Sequence, residues 1–449
     1  MQLNKTMTVL GSALGALALL AGPALAQDAA APKLDTGNTA WMLTSTALVL
    51  MMTIPGLALF YGGMVRKKNV LATVMQSFAI TCLVTILWFV VGYSIAFTDG
   101  GPTQAWLGGF GKLFHNGITT STLWLPGVAN IPEFVFSMFQ LTFAIITPAL
   151  IAGAFAERMK FSAMLIFMGL WSVVVYSPIA HWVWGGGFLG TGTLTGGKMV
   201  LDFAGGTVVH INAGVAGLVC ALVLGKRKGF GTTNMAPHNL VISVIGASLL
   251  WVGWFGFNAG SAVEAHDGQS SMAAAATQIA TAAAALSWMF VEWIISKKPS
   301  VLGMISGVVA GLVAITPASG FVNPTGALIT GLIAGAVCYF SAVHVKKIFG
   351  YDDALDCWGV HGVGGALGAI LTGVFASNAI NSLSKGWIHD HNPARMMLQF
   401  EGVAATFLYC GVVTFLILTV IKYTIGLRVS EEVEVEGLDI NLHGEVVQA

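Results

Sequence analysis

The chain has 449 residues, of which 56% are hydrophobic and only 9% are charged. Soluble globular domains carry roughly 25% charged residues, so this composition excludes an ordinary soluble domain. The 20 basic and 20 acidic residues cancel, and we expect no nucleic-acid partner. The apolar residues form continuous blocks of about 20, the length of a membrane-spanning helix, without the alternation of a membrane β-barrel. The sequence therefore predicts an all-α integral membrane protein.

The first 26 residues have the three parts of a secretory signal peptide. Lys5 supplies a positive charge, an apolar stretch follows from about residue 9 to residue 20, and A-L-A at 24–26 resembles a cleavage site. An uncleaved membrane span is the alternative, but the apolar stretch is short for a span. We therefore predict that residues 1–26 are removed and that the mature chain begins outside the cytoplasm.

Eleven apolar blocks follow within residues 27–426, which we interpret as an eleven-span transporter domain. An odd number of spans places the two ends of the mature chain on opposite sides of the membrane. Closely spaced glycines allow membrane helices to approach one another, and the candidate pairs are Gly307/Gly311, Gly331/Gly335 and Gly364/Gly368. The predicted spans are 41–64, 71–97, 133–156, 161–183, 203–224, 239–260, 271–295, 301–319, 325–345, 355–376 and 397–424.

The distribution of Lys and Arg gives an independent prediction of orientation, because cytoplasmic loops are enriched in both. With the mature N-terminus outside and the C-terminus inside, fourteen basic residues fall on the cytoplasmic side and five on the outside. This ratio favours the assigned orientation in an inner membrane. The fourteen lie at 66–68, 158–160, 226–228, 297–298, 346–347 and 422–428.

The segments outside the spans differ in composition from the spans themselves. Two long outer loops, 98–132 and 377–396, are rich in Gly, Asn, Ser and Pro, which is typical of solvated loops. The tail at 427–449 is polar and acidic and cannot enter the bilayer. We interpret this tail as a cytoplasmic segment.

A short motif occurs twice, five spans apart. The fifth span contains His210 followed by Gly214 and Gly217, and the tenth contains His361 followed by the same H-x-x-x-G-x-x-G spacing. Five spans per unit would make the second unit inverted in the membrane, and a five-plus-five inverted repeat leaves the eleventh helix as an addition. Inverted repeats in transporters place the working site near the midplane, between the two halves.

His210 and His361 are the only two of the ten histidines that lie well inside predicted spans. Neutral imidazoles offer one donor and one acceptor, so two facing rings could line a polar path without a permanent charge. Two unrelated histidines bonded within helix interfaces are the alternative, and the shared motif weakens it. Cys357 lies one helical turn before His361, but a catalytic zinc site usually needs three ligands and no third is evident. We therefore expect no metal and no cofactor.

Several residues at the predicted outer ends of spans are also candidates. Trp184 follows the fourth span, where Trp usually anchors a helix, although an indole face also attracts a cation. Phe257 and Ser261 are four residues apart, so they share one face of the sixth span, and packing is the plain alternative to a gate. Asp202 precedes the fifth span, where Asp commonly caps a helix. These residue types leave the substrate open.

Six longer motifs in the right order make the chain resemble the ammonium transporter (Amt/Mep/Rh) family, across essentially the whole mature sequence. The motifs are DFAGGTVVHINAGVAG at 202–217, HWVWGGG at 181–187, WFGFNAGS at 254–261, GVHGVGG at 359–365, and the tail motifs at 426–432 and 436–445.

The resemblance implies an outer site that recruits ammonium. By position in the motifs, Trp184, Phe143 and Ser261 match the recruiting residues, and Phe143 and Phe257 match a stacked pair that blocks the outer vestibule. Asp202 matches a supporting acid beside this site.

The resemblance also implies a pore and an assembly. His210 and His361 match twin histidines of the pore, Trp254 matches an aromatic residue that lines it, and the protein is expected to be a homotrimer with one pore per subunit. We expect ammonium to lose a proton outside and neutral ammonia to pass. The tail at 427–449 is similar to a segment that pairs with a PII signalling protein.

Three alternatives remain at this point. An ammonium sensor would use the same fold to report to a cytoplasmic partner, although no added signalling domain follows the last span. An Rh-type gas pore is less consistent with the Trp184 motif and the tail. An intramembrane hydrolase would need a nucleophile or a metal set, which the sequence does not indicate.

Overall fold

The computed structural model describes residues 33–192, 199–266 and 268–448, so the signal peptide predicted at 1–26 lies outside the described residues. Eleven apolar helices form the described bundle, and ten are long enough to cross a bilayer. They are α1 (Thr36–Met64), α2 (Lys67–Phe97), α3 (Glu133–Phe155), α4 (Phe161–Thr191), α5 (Gly206–Leu224), α6 (Leu240–Ala262), α7 (Gln269–Ser296), α8 (Val301–Ile315), α9 (Pro324–Phe349), α10 (Trp358–Phe375) and α11 (Ala394–Thr424).

These helices confirm the predicted all-α membrane fold, and each predicted span has one counterpart. The largest difference is at α4, which extends to Thr191 instead of ending at residue 183, and α8 ends at Ile315 instead of reaching residue 319. Pro317 accounts for the early end of α8, because proline has no backbone N–H to continue the hydrogen bonds of the helix. The chain then continues through a buried turn that keeps Thr316 in the protein interior.

The outer loop at 98–132 is more ordered than its composition predicts. It contains a two-stranded antiparallel hairpin, β1 (Leu123–Trp124) paired with β2 (Ile131–Pro132). Trp124 stacks on Phe136 of α3 with ring centroids 3.9 Å apart. A loop expected to be solvated therefore adds an aromatic wall to the bundle.

Glycine allows α7, α8 and α9 to pack closely. A methyl group at Gly331 of α9 would come within 2.2 Å of the carbonyl oxygen of Ala280 on α7. One at Gly311 of α8 would come within 2.7 Å of Ala284 Cβ. No larger side chain fits at such distances without moving a backbone, which is the packing expected of small residues between membrane helices.

We call the end of the bundle that carries the C-terminal tail the inner end, and the opposite end the outer end. Glu157 and Asp352 are both 1% exposed at the inner end, and Arg227 lies between them. Its guanidinium is 2.8 Å from Asp352 and 3.1 Å from Glu157. Arg66 makes a second bond to Glu157, at 2.8 Å.

The buried carboxylates are held in their charged form. Burial raises the pKa of Glu157, but the hydrogen bond from Arg66 and the charge of Arg227 outweigh it, so that pKa lies below its usual value. Burial likewise opposes ionisation of Asp352, and the bonds and charge of Arg227 lower its pKa overall. The arginines therefore compensate the cost of burying two negative charges.

The acidic tail is folded against the inner end. A short helix, α12 (Glu431–Glu436), begins after Ser430. Glu434 is 1% exposed and bonds Arg428 at 2.6 Å. Asp439 accepts bonds from the backbone amides of Leu71 and Ala72, at 3.0 and 2.8 Å, and so caps the α-helical part of α2, which begins at Val70.

Replacing Arg227 with Gln should destabilise the protein by about 3–5 kcal/mol at pH 7, because two buried carboxylates lose their shared cation. Carboxylates with a depressed pKa stabilise the fold above their ordinary pKa of about 4 and lose that effect as the pH falls through their folded-state values. The difference in the free energy of unfolding between the wild type and the variant should therefore become smaller as the pH is lowered. Thermal unfolding in detergent at several pH values measures this.

The neighbouring variant Lys228→Gln is the matched control. The Lys228–Glu431 pair is largely exposed, at 53% and 69%, so its loss should leave the unfolding midpoint unchanged. Equal effects of the two substitutions would contradict the proposed role of Arg227.

Candidate functional site: a histidine pair between two cavities

The two H-x-x-x-G-x-x-G motifs meet in the middle of the bundle. His210 and His361 each lie in a wide π-helical turn, Gly206–Ile211 at the start of α5 and Trp358–Gly362 at the start of α10. Their Nδ1 atoms are 3.3 Å apart, and the rings are nearly parallel, at 25°. Both side chains are buried. Wide π turns are frequent at functional sites.

Glycine contacts around the pair are reciprocal. A methyl group at Gly214, four residues after His210, would lie 2.1 Å from the amide nitrogen of Gly362. One at Gly365, four residues after His361, would lie 3.0 Å from the amide nitrogen of Ile211. Each motif therefore packs its first glycine, four residues after its histidine, against the residue that follows the other histidine, as expected for an inverted repeat.

Asp202 caps α5 from the outer end. Its carboxylate accepts bonds from the amides of Gly206 at 2.6 Å and Thr207 at 2.8 Å, and it also bonds the Thr207 hydroxyl. Its backbone oxygen accepts a 3.0 Å bond from the indole of Trp184. A single aspartate therefore fixes both the start of the His210 turn and the orientation of the Trp184 ring.

Asp353 is the inner counterpart of Asp202, and the resemblance did not single it out. It lies eight residues before His361, as Asp202 does before His210, and its carboxylate caps α10 through the amides of Cys357 and Trp358. Burial raises the pKa of Asp353 to about 6, and the nearby charge of Asp356 adds to this shift. The equal eight-residue offset is the sequence signal that identifies it.

An aromatic stack lies on the outer side of the histidines. Phe143 and Phe257, which we call the phenylalanine pair, stack with centroids 4.1 Å apart and are fully buried. The Phe143 and Trp184 rings are nearly perpendicular with centroids 5.9 Å apart, and the centroids of Phe257 and His210 are also 5.9 Å apart. The rings thus form a continuous series from Trp184 to the histidine pair.

Ser261 lies one helical turn beyond Phe257 on α6. Its hydroxyl donates a 2.8 Å hydrogen bond to the Phe257 carbonyl. Its only proton is therefore used, and its oxygen lone pairs are free to accept bonds from a ligand.

Thr316 connects Trp254 to His210, although it lies outside the motifs. Its hydroxyl donates to the Leu312 carbonyl at 2.8 Å and accepts the Trp254 indole N–H at 2.9 Å. The hydroxyl is also 3.3 Å from Nε2 of His210. Because its single proton is already used, Nε2 of His210 must be the donor in this contact.

That assignment determines which ring nitrogens of His210 and His361 carry a hydrogen. With the proton on Nε2, the Nδ1 atom of His210 is an acceptor, so Nδ1 of His361 must carry the hydrogen that joins the rings. The remaining ring nitrogen, Nε2 of His361, is then an acceptor. Two neutral rings and one threonine therefore form a chain of hydrogen bonds with a single direction.

A cavity lies at each end of this series. The outer cavity has a volume of about 390 Å³ and is lined by Trp124, Trp184 and Ser261 among others. The inner cavity has a volume of about 160 Å³, and His361 and Asp356 line it. Between the two, the phenylalanine pair and the histidine pair are buried.

Comparison with known proteins identifies the family. A sequence model of the Ammonium Transporter Family matches residues 40–448. The chain belongs to this family. The resemblance seen in the motifs is therefore confirmed, and the chain is an ammonium transporter with a multi-pass membrane fold.

Individual members of the ammonium transporter family agree with this assignment. The chain is 52% identical to the ammonium transporter of Aquifex aeolicus, over 92% of this chain and 93% of the relative. It is 48% identical to the ammonium transporter of Bacillus subtilis, over 92% and 98%. The crystal structure of Saccharomyces cerevisiae Mep2 superposes with a TM-score of 0.81 at 34% identity, covering 89% of each chain.

Removing the Thr316 hydroxyl tests the proton order. In Thr316→Val, the N–H groups of Trp254 and His210 lose their acceptor, and one lost hydrogen bond to the His210 ring should slow ammonium uptake about tenfold. Uptake into liposomes measures this.

Thr330→Val is the matched control, because the Thr330 hydroxyl is also fully buried but has no hydrogen-bond partner among the described residues. Its uptake should equal that of the wild type. Similar uptake by Thr316→Val and Thr330→Val would refute the role given to Thr316.

Proposed function

We propose that this ammonium transporter recruits NH4+ in the outer cavity, removes one proton there and passes NH3 along the histidine pair. The observation that carries the proposal is the phenylalanine pair, 4.1 Å apart and fully buried between the outer cavity and the histidines. A hydrated ion does not fit between stacked rings at that distance. The ion must therefore shed its water, and its charge, before it reaches the histidine pair.

Recruitment rests on three groups that replace water around the cation. The ring faces of Trp184 and Phe143 attract a desolvated cation by about 2 kcal/mol, and Ser261 offers oxygen lone pairs. Asp202 supports this site through its bond to Trp184, and its charge lies near the outer end. All three contacts weaken once the ligand becomes neutral ammonia, which favours its release towards the pore.

Neutral passage follows from the cost of charge in an apolar segment. A single cation at the centre of a bilayer costs several kcal/mol or more. The pore proposed here, lined by His210, His361 and Trp254, contains neutral donors and acceptors and no formal charge. Ammonia can exchange hydrogen bonds along such a path at a much smaller cost.

The released proton requires its own route, and the histidine pair offers one. A neutral imidazole can accept a proton on one nitrogen and release another from the second. The Nδ1 to Nδ1 contact joins the two rings, and inward transfer requires both rings to exchange tautomers first, so that Nε2 of His210 becomes the acceptor. In this mechanism NH4+ dissociates outside, NH3 and H+ cross separately, and they recombine inside, so that transport moves one positive charge.

Charge movement in liposomes after an ammonium pulse tests this mechanism. The wild type should give a current with ammonium and none with potassium. His210→Leu should abolish the current, because the relay loses a ring. His391→Leu is the matched control, since His391 is exposed in an outer loop, and it should behave as the wild type. An undiminished current in His210→Leu would contradict the proposed proton relay.

The orientation of the protein in the membrane is proposed from the distribution of its basic residues along the sequence. The fourteen-to-five distribution of basic residues favours a periplasmic N-terminus, after removal of residues 1–26, and a cytoplasmic tail in the inner membrane. We also propose a homotrimer, from family resemblance. A native mass corresponding to one chain in mild detergent would argue against the trimer.

A trimeric PII signalling protein is the proposed partner of the tail, and this rests on family resemblance. Leu427 and Arg428 support the inner end, because the Leu427 carbonyl accepts from the backbone amide of Lys160 and Arg428 donates to the Leu224 carbonyl at 3.1 Å. Deletion of residues 430–449 therefore spares more of the bundle than deletion of the whole tail. Capture of purified PII should be lost with this deletion, and retained capture would refute the assignment.

An ammonium sensor is the second candidate. The chain superposes on a protein described as "Sensor Amt Protein" with a TM-score of 0.81 and 26% identity, over 91% of this chain. A sensor would bind ammonium with little or no flux. The liposome measurement separates the two candidates, because an ammonium-specific current indicates a transporter.

A further inference from the structure

One buried histidine has no part in the pore described above. His181 lies in the last α-helical turn of the segment that ends at Trp184 in α4, and its side chain is fully buried. Its Nδ1 atom is 3.0 Å from the carbonyl oxygen of Ala96, near the end of α2, and its Nε2 atom is 2.8 Å from the carbonyl oxygen of Gln104, in the outer loop at 98–132. Both partners are backbone carbonyls, which can only accept a hydrogen bond.

These two contacts determine how many hydrogens the ring carries. A neutral imidazole has one N–H donor and one bare nitrogen with a lone pair. A neutral His181 would therefore direct a lone pair at one of the two carbonyl oxygens, and a buried nitrogen would lack a partner. With a hydrogen on each nitrogen, both hydrogen bonds form at ordinary lengths.

The ends of two helices compensate the positive charge of such a ring. Ala96 lies in the last turn of α2, and His181 itself lies in the last turn of the α-helical segment Ser177–Trp184. The carbonyl end of a helix carries a partial negative charge and favours a protonated histidine. The charge of the ring is therefore balanced by backbone dipoles at the outer end of the bundle.

The charged side chains of the adjoining segments are engaged elsewhere. In the outer loop Asp99 is exposed, and Lys112 bonds Glu133 of α3. Asp202 directs its carboxylate at the first amides of α5. Both nitrogens of His181 are used by backbone groups, so the ring does not depend on a carboxylate among the described residues.

The ring is one of three successive contacts that join α4 to the outer loop. Three consecutive carbonyl oxygens of the loop accept hydrogen bonds from α4: Gln104 from the His181 ring, Ala105 from the Phe188 amide, and Trp106 from the Trp182 indole. The side-chain amide of Gln104 also donates to the Gly185 carbonyl at 3.1 Å. Trp184 therefore lies within a segment that is held on both sides.

We propose that His181 is a positioning residue that carries a hydrogen on both ring nitrogens and fixes Trp184 in the wall of the outer cavity. The inference rests on the recruitment of NH4+ by Trp184 proposed above. His181 acts through the backbone and not on the ligand, because its own carbonyl accepts from the amides of Gly185 and Gly187. The ring, the turn and Trp184 thus form one unit, and Trp184 lines the cavity.

Nitrogen NMR of the full-length protein, labelled at the histidine rings, tests the number of hydrogens at neutral pH. Both nitrogens of His181 should carry a hydrogen, whereas His210 and His361, in the neutral arrangement derived above, should each show one bare nitrogen. The His181 signals are assigned by through-space contacts to Ala96 and by their loss in His181→Gln. A bare nitrogen on His181 overturns the inference.

The positioning role is tested by fluorine NMR on protein labelled with fluorotryptophan, with Trp184→Phe to assign the Trp184 signal. His181→Gln places an oxygen where the second donor was, so the Trp184 signal should move. The ammonium concentration at half-maximal liposome current should rise about tenfold, with the maximal current within about twofold of the wild type. His391→Gln is the matched control, because His391 is exposed in an outer loop, and it should match the wild type.

The outcomes separate this inference from the proposed function. Agreement of His181→Gln with His391→Gln in either readout overturns the positioning role. If the wild type gives no current, the transport mechanism fails, and the fluorine signal of Trp184 alone decides the positioning role. If His181→Gln does not fold, the nitrogen spectrum of the wild type decides the inference.

Discussion

The arrangement of this protein depends on the cost of an ionised group in hydrocarbon. Ion pairs with buried carboxylates lie at the two ends of the bundle, with Arg227 between Glu157 and Asp352 at the inner end and Lys112 beside Glu133 at the outer end. Between them the polar path consists of imidazole, indole and hydroxyl groups. In the function proposed above, ammonia crosses such a path at a lower cost than a cation does.

Neutral groups alone would not hold two histidines face to face, and the inverted repeat supplies the geometry. Each half begins its histidine helix with an aspartate eight residues earlier, and each half packs glycine against the backbone of the other. Asp202 and Asp353 bring their charge to the helix N-termini, where the backbone amides compensate it. An aspartate therefore caps one histidine helix from each side of the membrane, and the centre between the two helices carries no charged side chain among the residues described.

Most of the fold could be predicted from the sequence, because hydrophobic length and glycine spacing are local signals. The eleven helices and the meeting of His210 with His361 belong to this class. Thr316 could not be predicted in the same way, since its position after α8 depends on a chain reversal near Pro317. Trp124 was missed for a similar reason, because a polar loop composition does not reveal that one tryptophan folds back onto α3. Tertiary contacts between distant segments, rather than local pattern, decide these positions.

The docked tail has a thermodynamic consequence. Asp439 supplies acceptors for the first amides of α2, and Glu434 is buried against Arg428, so release of the tail exposes unsatisfied groups on both sides. A partner that binds only the released tail must compete with these contacts, and its apparent affinity falls in proportion to the released fraction. By reciprocity, the partner also shifts the conformational equilibrium of the inner end. Binding of a partner to the tail is therefore linked to the folding of the inner ends of α2 and its neighbouring helices, so that a change in either equilibrium shifts the other.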